Sequence, residues 1–562
     1  MTERSVDTSV GLRSPDTVMR LARLGSFHQC RLSFMRQLTR RFAREAWTVT
    51  RSMFDINADG VGRAVYQVDT GSRKYALVAF GHDLPDALRS DRVIAERWDA
   101  TFTLFDGVPS GDDIERLAEN VPLQEAGRVS GSELTLSRAN RSARLWSYVV
   151  DRLANGQQPD QAQLDETGYL MRTTAVYGSG KFGAQDRAGI ADRLEFDAPF
   201  QAEMLTVYLI RTFVRDLVNH IAAEQGGAAS VALDPLLAQG LGIGNSTGLG
   251  MAPFLINHPR LLNNWISARE TAVARVCAVA RAEPAAVDQF KVIFTRFKAS
   301  VAGWQSAHPL QQEKLASLVQ DLTLCERYLD ETSPDAVYPW AGLMAFAVDA
   351  LSLEGQEAIA SLILEPYGDL VDDLASEMSV PADPPHIDGT QTIAAVRAAM
   401  VDHYDWALKM DWTTDTASAR VWYVSAEKLE PRLGERAEEP IEPYEQPLAP
   451  GRDIALAHSD LAGWDGSEAI AAFLLKHPEH RQAVRRVLTC DFAPFAEIRD
   501  NTICASMMPI DMLRCKLSFF GATKFDPRSD RWVRICMFSG APYPDEISPV
   551  TSDLWVYPTP RE

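Results

Sequence analysis

Positive charge is the first thing this sequence is short of. It carries 56 basic residues against 76 acidic ones, a formal net charge of −20. Proteins that bind nucleic acid non-specifically do so with cations that neutralise phosphates, so this balance excludes a general nucleic-acid partner. It also argues against an anionic membrane surface. Lysine is scarcer still, ten of the 56 basic residues, the rest being arginine. A lysine inside a glycine-rich loop is therefore notable. Cysteine is sparse: seven residues, an odd number, with no Cys-x-x-Cys pair. Cys490, Cys504, Cys515 and Cys536 are 14, 11 and 21 positions apart, which fits no zinc spacing. Most have apolar neighbours, as in Arg-Val-Cys277-Ala-Val, which points to buried free thiols in a reducing compartment. Cys504 is the best nucleophile candidate, but nothing near it in sequence activates a thiolate. Long apolar runs are missing too. The most apolar stretch, Val337 to Leu353, contains Asp349 and is too short to span a bilayer comfortably. The first 15 residues are polar, include Glu3 and Asp7 and lack an apolar h-region. The expectation is a cytoplasmic protein with no membrane partner.

Complete cofactor motifs are also lacking. Asp55-Ile-Asn57-Ala-Asp59-Gly60 starts like an EF-hand loop, but positions nine and twelve are Arg63 and Tyr66, where calcium needs a closing carboxylate. Gly180-Lys181 would need a glycine at 175 and Ser or Thr at 182 to form a phosphate loop; Ala175 and Phe182 stand there. The run from Gly240 to Gly250 is glycine-rich without a Gly-x-Gly-x-x-Gly fingerprint. His477-Pro-Glu-His480, His386-Ile-Asp388 and Asp402-His403-Tyr-Asp405 are bare pairs with no third ligand in view. No metal site is expected and no cofactor is assigned, although flavin and pyridoxal sites leave no short motif.

What is present is an ordinary globular composition, 46% apolar and 23% charged. At 562 residues the chain has room for about three to five units of roughly 100–200 residues. Phe27, Cys30, Phe34, Leu38 and Phe42 form a helical apolar stripe, which makes Arg31, Arg36, Arg40 and Arg44 a solvated face or a partner for acidic surface. Residues 62–80 read as a β-hairpin turning at Asp69-Thr-Gly-Ser72, followed by a strand over 100–105. Helical patterns dominate from about Asp112, the strongest over 202–223, with others near 260–280, 311–330, 340–353, 390–409 and 468–488. Strand patterns return at 420–424, 515–520 and 531–538. The three prolines between Ser379 and Gly389 mark a loop, and the proline- and glutamate-rich stretch 435–451 a solvated connector. The expected fold is α+β and mainly helical: a long helical middle with small antiparallel β-sheet contributions near both termini. The regions are 1–110, 111–378 and 379–562.

Two segments keep a functional reading. Arg172-Thr-Thr-Ala-Val-Tyr177-Gly178-Ser179-Gly180-Lys181 joins turn-forming glycines to a guanidinium, a phenol and an ammonium. Peptide N–H groups in such turns form anion nests. The Tyr-x-x-x-Lys spacing resembles that of short-chain dehydrogenases, but the intervening Gly-Ser-Gly and the missing nucleotide fingerprint make it a coincidence of spacing. Asn245-Ser246-Thr247, inside Gly240–Gly250, offers amide and hydroxyl groups beside flexible backbone, with His258 downstream. Phe520-Gly-Ala-Thr-Lys524 echoes the first segment. The function expected is a soluble metabolic enzyme acting on a small anionic substrate, carboxylate or phosphate. It would use proton-transfer chemistry, as a lyase, isomerase or hydrolase. Tyr177 is the proton donor or acceptor, Lys181 its electrostatic partner and Arg172 the anion clamp. Asn245, Ser246, Thr247, His258 and Lys524 are binding residues. The alternative is a non-catalytic binding or assembly protein using helical surfaces and the arginine-rich helix. A homo-oligomer is compatible with either.

Overall fold

The structure is a computed structural model. It describes residues 11–20, 22–26, 29–85, 97–123, 130–177, 192–245, 256, 258–304, 309–333, 336–379, 387–412, 422–425, 431–433, 445–448, 450–499, 516–521, 524–526 and 534–556. The chain divides into two compact units that alternate along the sequence. The first comprises Met1–Ser26, Leu249–Pro284 and Thr323–Cys515; the second comprises Phe27–Gly248, Ala285–Leu322 and Lys516–Glu562.

The second unit is built on a sheet. Its strands are β1 (Thr48–Ile56), β2 (Gly62–Asp69), β3 (Lys74–Gly81), β4 (Ala100–Asp106), β5 (Glu133–Arg141), β6 (Tyr169–Tyr177) and β7 (Gly242–Asn245). In the first unit, β8 (Trp422–Ser425), β9 (Pro431–Leu433) and β10 (Glu445–Leu448) form a separate three-stranded sheet. The chain then returns to the large sheet with β11 (Lys524–Asp526) and β12 (Arg534–Met537), giving the order β1-β2-β3-β4-β5-β6-β7-β12-β11. All neighbours are antiparallel except β6 and β7, which run parallel. The turn that resembles an EF-hand joins β1 to β2. There the Asn57 side chain accepts from the Asp59 and Val61 amides at 3.0 and 2.9 Å.

Helices of the same unit flank this sheet: α1 (Phe34–Arg44), α2 (Gly111–Asn120), α3 (Trp146–Ala154) and α4 (Gln201–Gly226). On one face, α2 closes a core of Val65, Val78, Phe80, Phe105, Leu117 and Leu136. On the other, α4 sets Phe213 against Tyr66 and Phe102, and the Thr206 and Thr135 hydroxyls meet at 2.7 Å. Of the two readings of Arg31, Arg36, Arg40 and Arg44, the acidic partner holds for the first three, while the Arg44 side chain stays 67% exposed. Arg31, Arg36 and Arg40 converge on Asp553 at 2.9, 2.6 and 3.2 Å, and Arg36 is fully buried. Burial alone would raise the Asp553 carboxyl; the three guanidinium groups, Arg36 foremost, hold it far below the usual carboxylate range instead.

The α+β class stands, but the sheet is neither small nor confined to the chain ends. Strands β5, β6 and β7 lie inside the stretch read as helical. The physical reason is two-sided burial: β5 has only two residues that are not buried and β7 only one. Strands covered on both faces lose the apolar–polar alternation that reveals a strand. The strand expected over 515–520 is instead a π-helical turn, Lys516–Phe520. There Phe520 packs on Phe34 and Phe200 at 5.5 and 5.2 Å. The stretch 435–451 is not all connector either, since β10 pairs with β8 and a helix begins at Pro450.

The first unit is mainly helical. It includes α5 (Pro259–Cys277), α6 (Leu353–Leu362), α7 (Ile393–Leu408), α8 (Pro450–Leu461), α9 (Ile470–Lys476) and α10 (Arg481–Cys490). Val396, Met400, Ile454, Leu461, Phe473 and Val484 belong to one buried cluster. A second anchor is ionic. Arg13 spans Glu270 and Glu357 at 2.7 and 2.9 Å, Arg269 donates to Glu270 at 3.0 Å and Arg23 to Glu357 at 3.2 Å. No helix among the described residues is long and apolar enough to cross a membrane.

Candidate functional site

The parallel pair sets the candidate site. β6, α4 and β7 form a strand–helix–strand crossover, the only parallel connection in the large sheet among the described residues. Arg211 of α4 fixes the return: its guanidinium donates to the Leu241 and Gln239 carbonyls at 2.7 and 2.9 Å and lies over the Tyr543 ring at 4.0 Å. Ligands of sheets with parallel strands collect outside the carboxyl ends of those strands. Both glycine-containing segments occupy that position in the chain. Gly178 directly follows β6, and Ser246 directly follows β7.

Register then brings separate parts of the sequence together. Arg172 of β6 pairs with Gly244 of β7, Gly244 with Cys536 of β12, and Cys536 with Lys524 of β11. The next row is Thr173, Asn245, Ile535 and Phe525. Strands lie about 4.8 Å apart, so Arg172 and Lys524 are roughly 14 Å apart along one row. On its other side Arg172 pairs with Asn140 of β5, whose Oδ1 accepts from the Asp99 amide at 2.9 Å. Asn140 is 2% exposed, and among the described residues its Nδ2 has no hydrogen-bond partner. The Asp99 carboxylate accepts from the Arg141 amide at 2.9 Å. Nearby, His82 shares a hydrogen bond with the Thr101 hydroxyl at 2.9 Å. Burial pushes its imidazole below the ordinary range, and Asp99 acts in the opposite direction. Arg138 lies 4.2 Å over the Trp98 ring.

The expected residues fall unevenly on this frame. Arg172 is buried in mid-strand, a fixed charge rather than a mobile one. Asn245 is half-buried at the end of β7, its Nδ2 3.9 Å from Met537 Sδ. Tyr177 ends β6 opposite Leu136, and Lys524 opens β11; only their backbones are described. Gly178, Ser179, Gly180, Lys181, Ser246 and Thr247 lie outside the described residues. His258 belongs to the other unit, where it precedes Pro259 at the start of α5. Two glycines read as part of a ligand loop are strand residues. A Cβ on Gly242 would meet the Met537 carbonyl oxygen at 2.4 Å, and one on Gly244 the Tyr169 ring at 2.8 Å. They permit close packing of β12 and Tyr169. Asp99 and Asn140 were not foreseeable, because no local spacing marks them and only strand register sets them beside Arg172.

An opening of about 420 Å³ is lined by Arg51, Phe54, Asp216, Asn219 and His220 among others. Its polar groups are engaged locally. Asp216 takes Arg51 and the Tyr66 hydroxyl at 3.1 and 2.9 Å, and His220 meets the Ile56 carbonyl at 2.7 Å. It offers a ligand less than the strand row does. No family model, curated protein or solved structure matches the chain.

Proposed function

We propose that the sheet unit carries the binding site of a cytoplasmic enzyme acting on a small carboxylate or phosphate by proton-transfer chemistry. One observation carries the reading. Arg172 and Lys524, picked from two distant stretches of sequence, fall on one row across β6, β7, β12 and β11. Both glycine-containing segments leave the carboxyl ends of the parallel pair. Arg172 then acts as a fixed positive floor, with the Asn140 amide as a neighbouring donor. Tyr177 is the proton donor or acceptor and Lys181 its partner, since an adjacent ammonium lowers a phenol's pKa. Asn245, Ser246 and Thr247 orient the substrate. The assembly reading loses support, because three of the arginines it would use are committed to Asp553.

Native mass spectrometry with an absorbance spectrum of the purified protein would reveal a retained metabolite, flavin or pyridoxal. Calorimetric titration with inorganic phosphate and succinate then tests the anion site. A charge-assisted contact is worth roughly 1.5–3 kcal/mol, so Lys181→Met should weaken binding by about ten- to a hundredfold with little change in melting temperature. Once a substrate is known, Tyr177→Phe should lower turnover more than binding. Reduced stability with unchanged anion affinity in Lys181→Met would make the segment structural.

A further inference from the structure

We infer that Asp460, His477 and His480 form a site for one divalent late first-row transition ion, of the zinc class. The histidines stand three apart in His-Pro-Glu-His, which alone is a bare pair. Pro478 opens a 3₁₀ turn, Pro478–His480, between α9 and α10. His477 caps that turn, its carbonyl accepting from the His480 amide at 3.2 Å, and the two imidazoles lie 6.1 Å apart at 28°. Phe473 holds them there: the His477 ring stacks on it at 4.9 Å and 25°, the His480 ring at 5.6 Å and 4°. The third group comes from the last turn of α8, where Asp460 Oδ2 lies 2.7 Å from His480 Nε2. One ligand atom from each residue fits within a mutual distance of 4.8 Å.

Bonds of 2.0–2.1 Å in a tetrahedral site put ligand atoms about 3.3 Å apart. The 2.7 Å His480–Asp460 contact must open slightly, and the widest separation must close by about 1.5 Å. The groups that must move have the freedom to do so. The Asp460 side chain is 48% exposed and that of His477 34%, whereas His480 is held at 10%. Two imidazoles and one carboxylate suit zinc, cobalt, nickel or iron, whereas calcium and magnesium prefer oxygen alone. Three protein ligands with exposure on the Asp460 side leave a position for water or an added ligand. Glu479 lies 3.3 Å from His477 Nδ1 and adds negative charge beside the site. Lys476 sits 4.6 Å over the Trp464 ring.

The test uses the full chain and metal alone. After chelator dialysis, Zn²⁺ is added back, excess is removed and bound metal is counted by mass spectrometry; Co²⁺ gives visible d–d bands as a second readout. One equivalent is expected for the wild type. Even an outer-shell partner of a metal ligand is worth about 10–100-fold in affinity, so Asp460→Ala and His477→Gln should each weaken binding at least tenfold. Both residues are exposed enough to keep the fold, which variants of His480, whose side chain is only 10% exposed, would not guarantee. His403→Gln is the control, since His403 pairs with Asp491 at 3.0 Å in a separate contact. It should bind as the wild type does. Failure of the wild type to retain Zn²⁺ or Co²⁺ overturns the site, and so does retention by Asp460→Ala at wild-type affinity.

Discussion

The two units bury arginine against acid in different proportions. In the sheet unit, three arginines share the single carboxylate of Asp553. In the helical unit, Arg13, Arg23 and Arg269 share two, Glu270 and Glu357. Asp553 keeps 21% of its side chain exposed, whereas Glu270 and Glu357 keep 0% and 3%. A lone carboxylate shared by three cations is a hub, and its removal is felt by all three at once. Paired glutamates divide the load, so losing one leaves its neighbour in place. Each cluster also joins segments far apart in the chain, which local sequence cannot announce.

The largest expected effect separates the two designs. Asp553→Asn removes the shared carboxylate of a fully buried arginine and should cost about 3–5 kcal/mol of unfolding free energy. Denaturant melts would show it; a cost below about 1 kcal/mol would make the hub an ordinary surface pair. Glu357→Gln should cost less, about 2–3 kcal/mol, because Glu270 still accepts from Arg13 and Arg269. The same variant sharpens the comparison with pH. Burial works to raise the Glu357 carboxyl, but Arg13, Arg269 and Arg23 hold it down at about 2, against 4.5 ordinarily. Its contribution is therefore complete above pH 4.5 and is lost as pH falls toward 2. Acid melts of Glu357→Gln should be flatter than wild type across that window.

Smaller still is Gly244→Ala, a change within β7. Its new Cβ would press on the Tyr169 ring, an overpacking worth about 1 kcal/mol or somewhat more. A thermal shift no larger than that of an exposed substitution would show that the ring yields freely. The thiols should cost nothing measurable: Cys30, Cys277, Cys325, Cys490 and Cys536 are free and buried. Burial pushes the Cys277 and Cys490 thiols up to about 11. Titration of denatured protein without reductant should find seven free groups, the full number in the chain, and native protein should react slowly. A reproducible deficit of two would mean a disulfide.

Where apolar periodicity is strong, the elements were legible. The helix expected over 202–223 spans Gln201–Gly226, and the hairpin over 62–80 is β2 and β3. β6 was hidden because its residues read as the lead-in to a glycine turn, and β7 because Gly242 and Gly244 look like loop. Arg172 and Lys524 could be chosen for their chemistry, but their common row could not. Asp460 lies 17 positions before His477 and carries no signal of its own.

The sequence by itself determined the charge balance, the principal helices, the first hairpin and the free state of the described cysteines. Each depends on composition or on a repeat within one element, and short-range sterics and solvation settle such things locally. Tertiary structure alone decided the nine-stranded order, the parallel β6–β7 pair, the Asp553 hub and the meeting of Asp460 with the two histidines. Those depend on register and on which distant surfaces bury one another. A shift of one residue in a strand turns every side chain to the opposite face, so only the packed core selects the arrangement.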